Sequence, residues 1–284
     1  MKKIMTSLVG LMLLLVSGCS VISTGYNNAD VYFRYSIYGY TSFSDTQKLF
    51  IRNEVDNYLL WHRRNMLPEY ADFLRDMLLL VQSGSALKSE DVVRFRLAGR
   101  ALYVKTLQPM VKPAASLLNE LDNAQLDELV LSFAKENNKY RNKYLSGSQD
   151  EKLRKRAEKT IDFIEQLVGG LTDGQLEAIK GLSYKLPYAS DLYFRIREKN
   201  QAGLIGLSGN NKGEAGISAF LVEWLMLPET GKSAEELGLL LSFERGADDM
   251  VIGVYAMLKE QQKKTLVKNI SKYIDAFTQL AGGS

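Results

Sequence analysis

Residues 121–144 read LDNAQLDELVLSFAKENNKYRNKY. Leu126, Leu129, Val130, Phe133, Tyr140 and Tyr144 recur at helical spacing and fall on one side of a cylinder. Ahead of them, Asp122 can accept from a first-turn amide while the side chain of Gln125, three residues on, reaches back. That is a capping box. The layout returns at Phe43-Ser44-Asp45-Thr46-Gln47 and Leu171-Thr172-Asp173-Gly174-Gln175. It returns less well at Leu258-Lys259-Glu260-Gln261-Gln262, and in degenerate form at Leu87-Lys88-Ser89-Glu90-Asp91. Ser44 with Gln47, Asp122 with Gln125 and Thr172 with Gln175 therefore mark helix starts. The spacing between them is irregular, so no solenoid is expected. A cap contributes about 1 kcal/mol, enough to explain these residue types without a binding site.

Helical periodicity dominates the rest. In 50–66, Ile51, Val55, Tyr58, Leu59 and Met66 share a face. Pro68 suits the first turn of a further helix carrying Tyr70, Phe73, Leu74, Met77, Leu78 and Val81. A helix from Ser89 is expected to break or kink around Pro109 and Pro113. Residues 151–168 form a polar helix whose run Lys152, Arg154, Lys155, Arg156 and Lys159 reads as a solvated basic face, with an anionic ligand as the alternative. Ser233 with Glu236 reads as one more capping box. Helices are expected over 173–185, 189–200, 217–227, 234–244, 248–258 and 264–280, and the five glycines of 203–216 read as a loop. No stretch alternates cleanly as a strand would. The class is all-α, a multi-helix bundle of about 8–11 helices with an N-terminal lipidated tether and an aromatic strap.

The tether comes from the first residues. Lys2 and Lys3, the apolar run Leu8–Val16 and the small pair Ser17-Gly18 have the layout of a secretory signal. The apolar run is too short to span a bilayer comfortably, which takes roughly 20 residues. Val16-Ser17-Gly18-Cys19 resembles the bacterial lipobox. The resemblance implies cleavage after residue 18, a thioether-linked diacylglycerol on Cys19 and an N-acyl chain on its amine, with no other cofactor. Ser20 rather than Asp after that cysteine implies sorting to the outer membrane, facing the periplasm. Two or three acyl chains make a stable anchor. Cys19 is the only cysteine, so the body can hold no internal disulfide. The expected organisation is a cleaved signal over 1–18, tether and strap over 19–43, and a helical domain over 44–284, with a possible subdivision near 203–216. In the strap, Tyr26, Tyr32, Phe33, Tyr35, Tyr38 and Tyr40 crowd together, with Asp30 placed to cap a short helix. The rings can pack on the body or face lipid headgroups.

Lys2 and Lys3 are the only charges in residues 1–18, so without them the excess of 36 basic over 33 acidic side chains shrinks to one. Nucleic-acid binding, which needs a basic surplus, is not expected. Catalytic chemistry is also thin. The only histidine, His62, stands in Trp61-His62-Arg63-Arg64 on the apolar side of its helix, near Tyr58 and Leu59. No nucleophile elbow accompanies it, and no metal ligand set is present. Gly231-Lys232-Ser233 lacks the earlier glycine of a phosphate loop, since Met226 stands there.

The lipobox, Gly25-Tyr26-Asn27-Asn28-Ala29-Asp30, the Gln47 cap, and Trp61-His62-Arg63-Arg64 followed by Leu67-Pro68-Glu69-Tyr70 together resemble DUF6279, an uncharacterised family of bacterial lipoproteins. That family carries no established activity. More loosely, Leu171 to Gln175 is similar to the Leu-Thr-x-x-Gln motif of periplasmic chaperones. The expected function is a non-enzymatic, membrane-anchored envelope protein that binds or scaffolds a periplasmic partner. One alternative is a chaperone-like binder of client chains. Another is a protein that binds an anionic ligand, or a hydrolase, using Trp61, His62, Arg63 and Arg64.

Overall fold

The computed structural model describes residues 19–209, 213–227 and 229–282, so the expected signal peptide over 1–18 lies outside the described residues. Eleven α-helices and no strand occur among the described residues. In chain order they are α1 (Cys19–Asn27), α2 (Ala29–Tyr38), α3 (Asp45–Gln82), α4 (Ser89–Asn119), α5 (Asn123–Tyr140), α6 (Gln149–Val168), α7 (Asp173–Lys185), α8 (Ser190–Gly209), α9 (Gly213–Met226), α10 (Ala234–Met257) and α11 (Glu260–Gly282). A π-helical turn, Arg141–Leu145, follows α5. The all-α expectation holds.

The chain groups into two compact units. The first takes residues up to Met66, Tyr103–Lys143 and Leu192–Gly231, and the second takes Leu67–Leu102, Tyr144–Asp191 and Lys232 onward. Helices α3 and α4 each contribute one part to each unit.

In the first unit, Leu107, Val111, Leu129, Phe133, Leu204 and Leu221 build the main core. The aromatic strap forms two helices rather than one. α2 packs Ala29 and Phe33 against Phe43, Ile51 and Val55, and leaves Val31, Tyr32 and Tyr35 exposed. Asp30 does not cap α2. The N-cap is Asn28, whose side chain donates back to the Thr24 carbonyl rather than capping, and Asp30 pairs instead with Arg34 one turn later.

In the second unit, Ile164, Val168, Ile179 and Leu258 are buried together. Arg96 bonds both carboxylate oxygens of Asp248 through Nε, at 3.1 and 3.2 Å, and reaches Glu244 through Nη1 at 3.1 Å. The basic run on α6 is only partly a solvated face. Arg156 turns inward and donates to the carbonyls of Ser183, Leu186 and Pro187 at 2.5, 2.9 and 3.0 Å, satisfying the open end of α7.

Three expected helix breaks are absent and an expected long loop is short. α3 runs through Pro68, and α4 runs through both Pro109 and Pro113. A proline inside a helix forfeits one N–H bond and costs about 3 kcal/mol in isolation. Burial around these positions opposes that cost: Met66, Leu67 and Ala71 flank Pro68, and Ala115 with Val111 flanks Pro113, all buried. The stretch 203–216 is no long loop, because α8 continues to Gly209 and α9 begins at Gly213. α10 is unbroken between 244 and 248. Two of the glycines serve close approach instead of turning. A Cβ on Gly203 would come within 2.9 Å of the Phe220 ring, and one on Gly246 within 2.7 Å of Leu186 Cδ2.

The capping boxes form as read, at Asp122 with Gln125, Thr172 with Gln175 and Ser233 with Glu236. Ser44 and Gln47 exchange the same two bonds. Their glutamines also meet in pairs. In the first unit, Gln47 Nε2 donates to Gln125 Oε1 at 3.2 Å and Gln125 Nε2 donates to Gln47 Oε1 at 2.7 Å. The second proton of each amide goes to a carbonyl five residues before its partner: Gln47 to Glu120, and Gln125 to Ser42. The second unit repeats the device. Gln175 and Gln262 exchange bonds at 2.8 and 3.0 Å, then reach Met257 and Gly170, again five residues before the partner. Each clasp thus ties two helix starts and their preceding turns together. At the degenerate position Asp91 accepts from the Lys88 amide but has no amide to reach further.

Loss of a buried hydrogen-bonding partner costs about 1–3 kcal/mol. Gln125→Glu, which keeps the shape but removes both donors, is expected to lower unfolding stability by about 2 kcal/mol in urea titration. Gln47→Ala combined with Gln125→Ala should cost less than the two single changes summed, because the second removes a partner already lost.

Candidate functional site

A cavity of about 480 Å³ opens within the first unit. Such a volume suits one small or medium ligand. Its wall is overwhelmingly apolar and aromatic, drawn from α2, α3, α4, α5, α8 and α9; Phe33, Phe50, Tyr58, Tyr103, Met110 and Leu225 are among its lining. The two tryptophans of the chain, Trp61 and Trp224, both line it. Thr41, Glu54 and Asn57 are the polar exceptions beside the tyrosine hydroxyls. Burial raises the Tyr103 phenol above its usual range, and burial followed by the nearby Glu136 carboxylate pushes Tyr40 up to about 12. These phenols stay neutral at physiological pH.

Pro109 and Pro113 also face this cavity. Four residues apart, they share one side of α4 and remove the amides that would bond the carbonyls of Lys105 and Pro109. The Tyr58 hydroxyl, another wall group, donates to the adjacent Thr106 carbonyl at 3.3 Å. The proline pair was the sequence signal that this side of α4 is unusual. Trp224, Tyr103 and Leu221 carried no such mark.

The four residues of the tryptophan-histidine-arginine block diverge. Successive residues on a helix point roughly 100° apart. Trp61 faces the cavity and lies beside Tyr58, with ring centroids 5.9 Å apart. His62 is 3% exposed and sits between Tyr26 and Tyr58, its Nδ1 2.9 Å from the Tyr26 hydroxyl. Arg63 donates to Asn27 Oδ1 at 2.8 Å and covers the Tyr26 ring, while Arg64 is exposed. His62 and Arg63 thus fasten α1 to α3. Among the described residues no group of three or more His, Cys, Asp or Glu side chains could hold a metal ion. No helix among them is long and apolar enough to cross a membrane.

A model of a family of unknown function, DUF6279, matches residues 39–232. The chain belongs to this family. No curated protein and no solved structure matches it. The DUF6279 match contains the Gln47–Gln125 clasp and the Trp61–Arg64 block whole, with the cavity lining from Tyr40 to Leu225. It stops short of α10 and α11, and so of Gln262.

Burial lowers the His62 pKa to about 4, so the folded chain keeps the imidazole neutral. The unfolded chain takes up that proton near the usual 6.5. Stability from this group is therefore complete above pH 6.5 and is lost as pH falls toward 4, by up to about 3 kcal/mol. Urea midpoints at pH 7 and pH 4.5 should differ less in His62→Gln than in the parent chain.

Proposed function

We propose that this DUF6279 member is a lipid-anchored envelope protein without catalytic activity that holds an apolar chain in the cavity of its first unit. The observation that carries the binding half is a ligand-sized, aromatic cavity beside two helix-interior prolines. The lipobox-like Val16–Cys19 supports the anchor, and Ser20 supports outer-membrane placement facing the periplasm. A cavity of this size fits one ligand better than an unfolded client, which favours a small-molecule or acyl binder over a general chaperone. The anionic-site reading draws less support, because Trp61, His62, Arg63 and Arg64 point to different surroundings.

The uncharged fluorophore N-phenyl-1-naphthylamine tests the cavity in the full chain carrying Cys19→Ser, which cannot be acylated there. Binding should draw energy transfer from Trp61 and Trp224, and Ala114→Phe, which adds a ring inside the cavity, should weaken it at least about tenfold with the melting curve retained. Equal binding by parent and Ala114→Phe rejects the site. For the anchor, mass spectrometry of the protein purified from envelope should find Cys19 as the first residue, bearing diacylglycerol and an N-acyl chain. A retained Met1 ahead of an unmodified thiol rejects it.

A further inference from the structure

Next to the cavity, α5 and α8 bring together a buried polar network. Arg197 Nε donates to Asn137 Oδ1 at 2.8 Å, and Asn137 Nδ2 donates to Gln201 Oε1 at 2.7 Å. The amide orientations follow from chemistry. A guanidinium can only donate, so it must face the Asn137 oxygen, which turns the Asn137 amide group toward the Gln201 oxygen. The Gln201 nitrogen is thereby left pointing elsewhere. It has no acceptor among the described residues, and neither has Arg197 Nη2; both atoms are buried. Gln201 as a whole is 4% exposed and Asn137 7% exposed.

Two buried N–H donors in one network without an acceptor are unusual, since each costs free energy unless a partner arrives. The carboxylates in the field of Arg197 each pair with another cation: Glu136 with Lys139 at 2.8 Å and Glu198 with Arg141 at 2.6 Å. No ion pair to Arg197 occurs among the described residues. Burial lowers the Arg197 pKa, opposed by Tyr40, Glu136, Tyr140 and Glu198, so its charge is poorly solvated.

The network begins one helical turn from the cavity wall on both helices. Phe133 lines the cavity four residues before Asn137 on α5, and Leu204 lines it three residues after Gln201 on α8, rises of about 6 and about 4.5 Å. Tyr40 bridges the two regions, since it lines the cavity, stacks edge-on to Phe133 and lies in the field of Arg197.

We infer that cavity and network together bind a long-chain carboxylate, its hydrocarbon tail in the apolar space and its head group accepting from Arg197 Nη2 and Gln201 Nε2. This inference rests on the apolar-chain reading and names its ligand class.

The test compares oleate with oleyl alcohol, followed by quenching of Trp61 and Trp224 in the full Cys19→Ser chain. Oleate should bind at least about tenfold more tightly than the alcohol, the scale of a hydrogen bond to a charged group. Gln201→Glu retains the oxygen that Asn137 needs and supplies Arg197 with an acceptor of its own. It should erase the preference for oleate, leave alcohol binding within about twofold, and fold at least as stably as the parent. Arg197→Gln should also erase the preference. Alcohol binding with no advantage for oleate, or an advantage unchanged in both variants, overturns the carboxylate assignment and leaves the apolar cavity standing. Failure of both ligands to bind overturns the two readings together.

Discussion

A primary amide taken out of water must find partners for two protons and two lone pairs, and this requirement governs how the helix starts are assembled. Gln47 and Gln125 meet it only together: each oxygen accepts from its own cap amide and from the partner, and each nitrogen donates to the partner and to a backbone carbonyl. Separating the two leaves several buried groups unmatched at once, so the pair sets the register of α3 against α5 rather than merely adding a bond. The same geometry at Gln175 and Gln262 sets α7 against α11. With no disulfide available, such networks do what covalent cross-links do in small secreted domains.

The two units carry one device and different interiors. In the second unit Arg96 pairs with Asp248 and Glu244, and Arg156 donates to the carbonyls at the end of α7, while its Nε stays buried without an acceptor among the described residues. The first unit keeps an aromatic cavity, a helix with two forfeited amide bonds on the cavity side, and unmatched donors one turn away. Unmet hydrogen-bonding capacity and unfilled apolar space each oppose folding, and the compact clasp and core around them supply the compensation.

The Trp61–Arg64 block shows how adjacency in sequence misleads. Four chemistry-bearing side chains in a row suggest one site, yet a helix spreads them around its circumference. Only Trp61 meets the cavity, and His62 is enclosed by Tyr26 and Tyr58. Tyr26 belongs to a strap whose pairing partner lies 36 residues further on, which no local pattern announces.

Local interactions were legible because they are written within a few residues. The all-α class follows from periodicity, and the capping boxes from a donor and an acceptor three positions apart. The pairing of Gln47 with Gln125 and Gln175 with Gln262 joins residues 78 and 87 positions apart, and an irregular interval leaves no period to detect. Prolines and glycines misled for a related reason. Their local preference is to interrupt, but burial around Pro68 and Pro113 and close approach at Gly203 and Gly246 are properties of neighbours that only folding supplies. The sequence by itself determined where helices start and that they are helices. Tertiary structure decided which starts meet, which side of α4 is hollow, and that Arg197 and Gln201 face inward with donors to spare, because burial and partner geometry depend on residues distant in the chain.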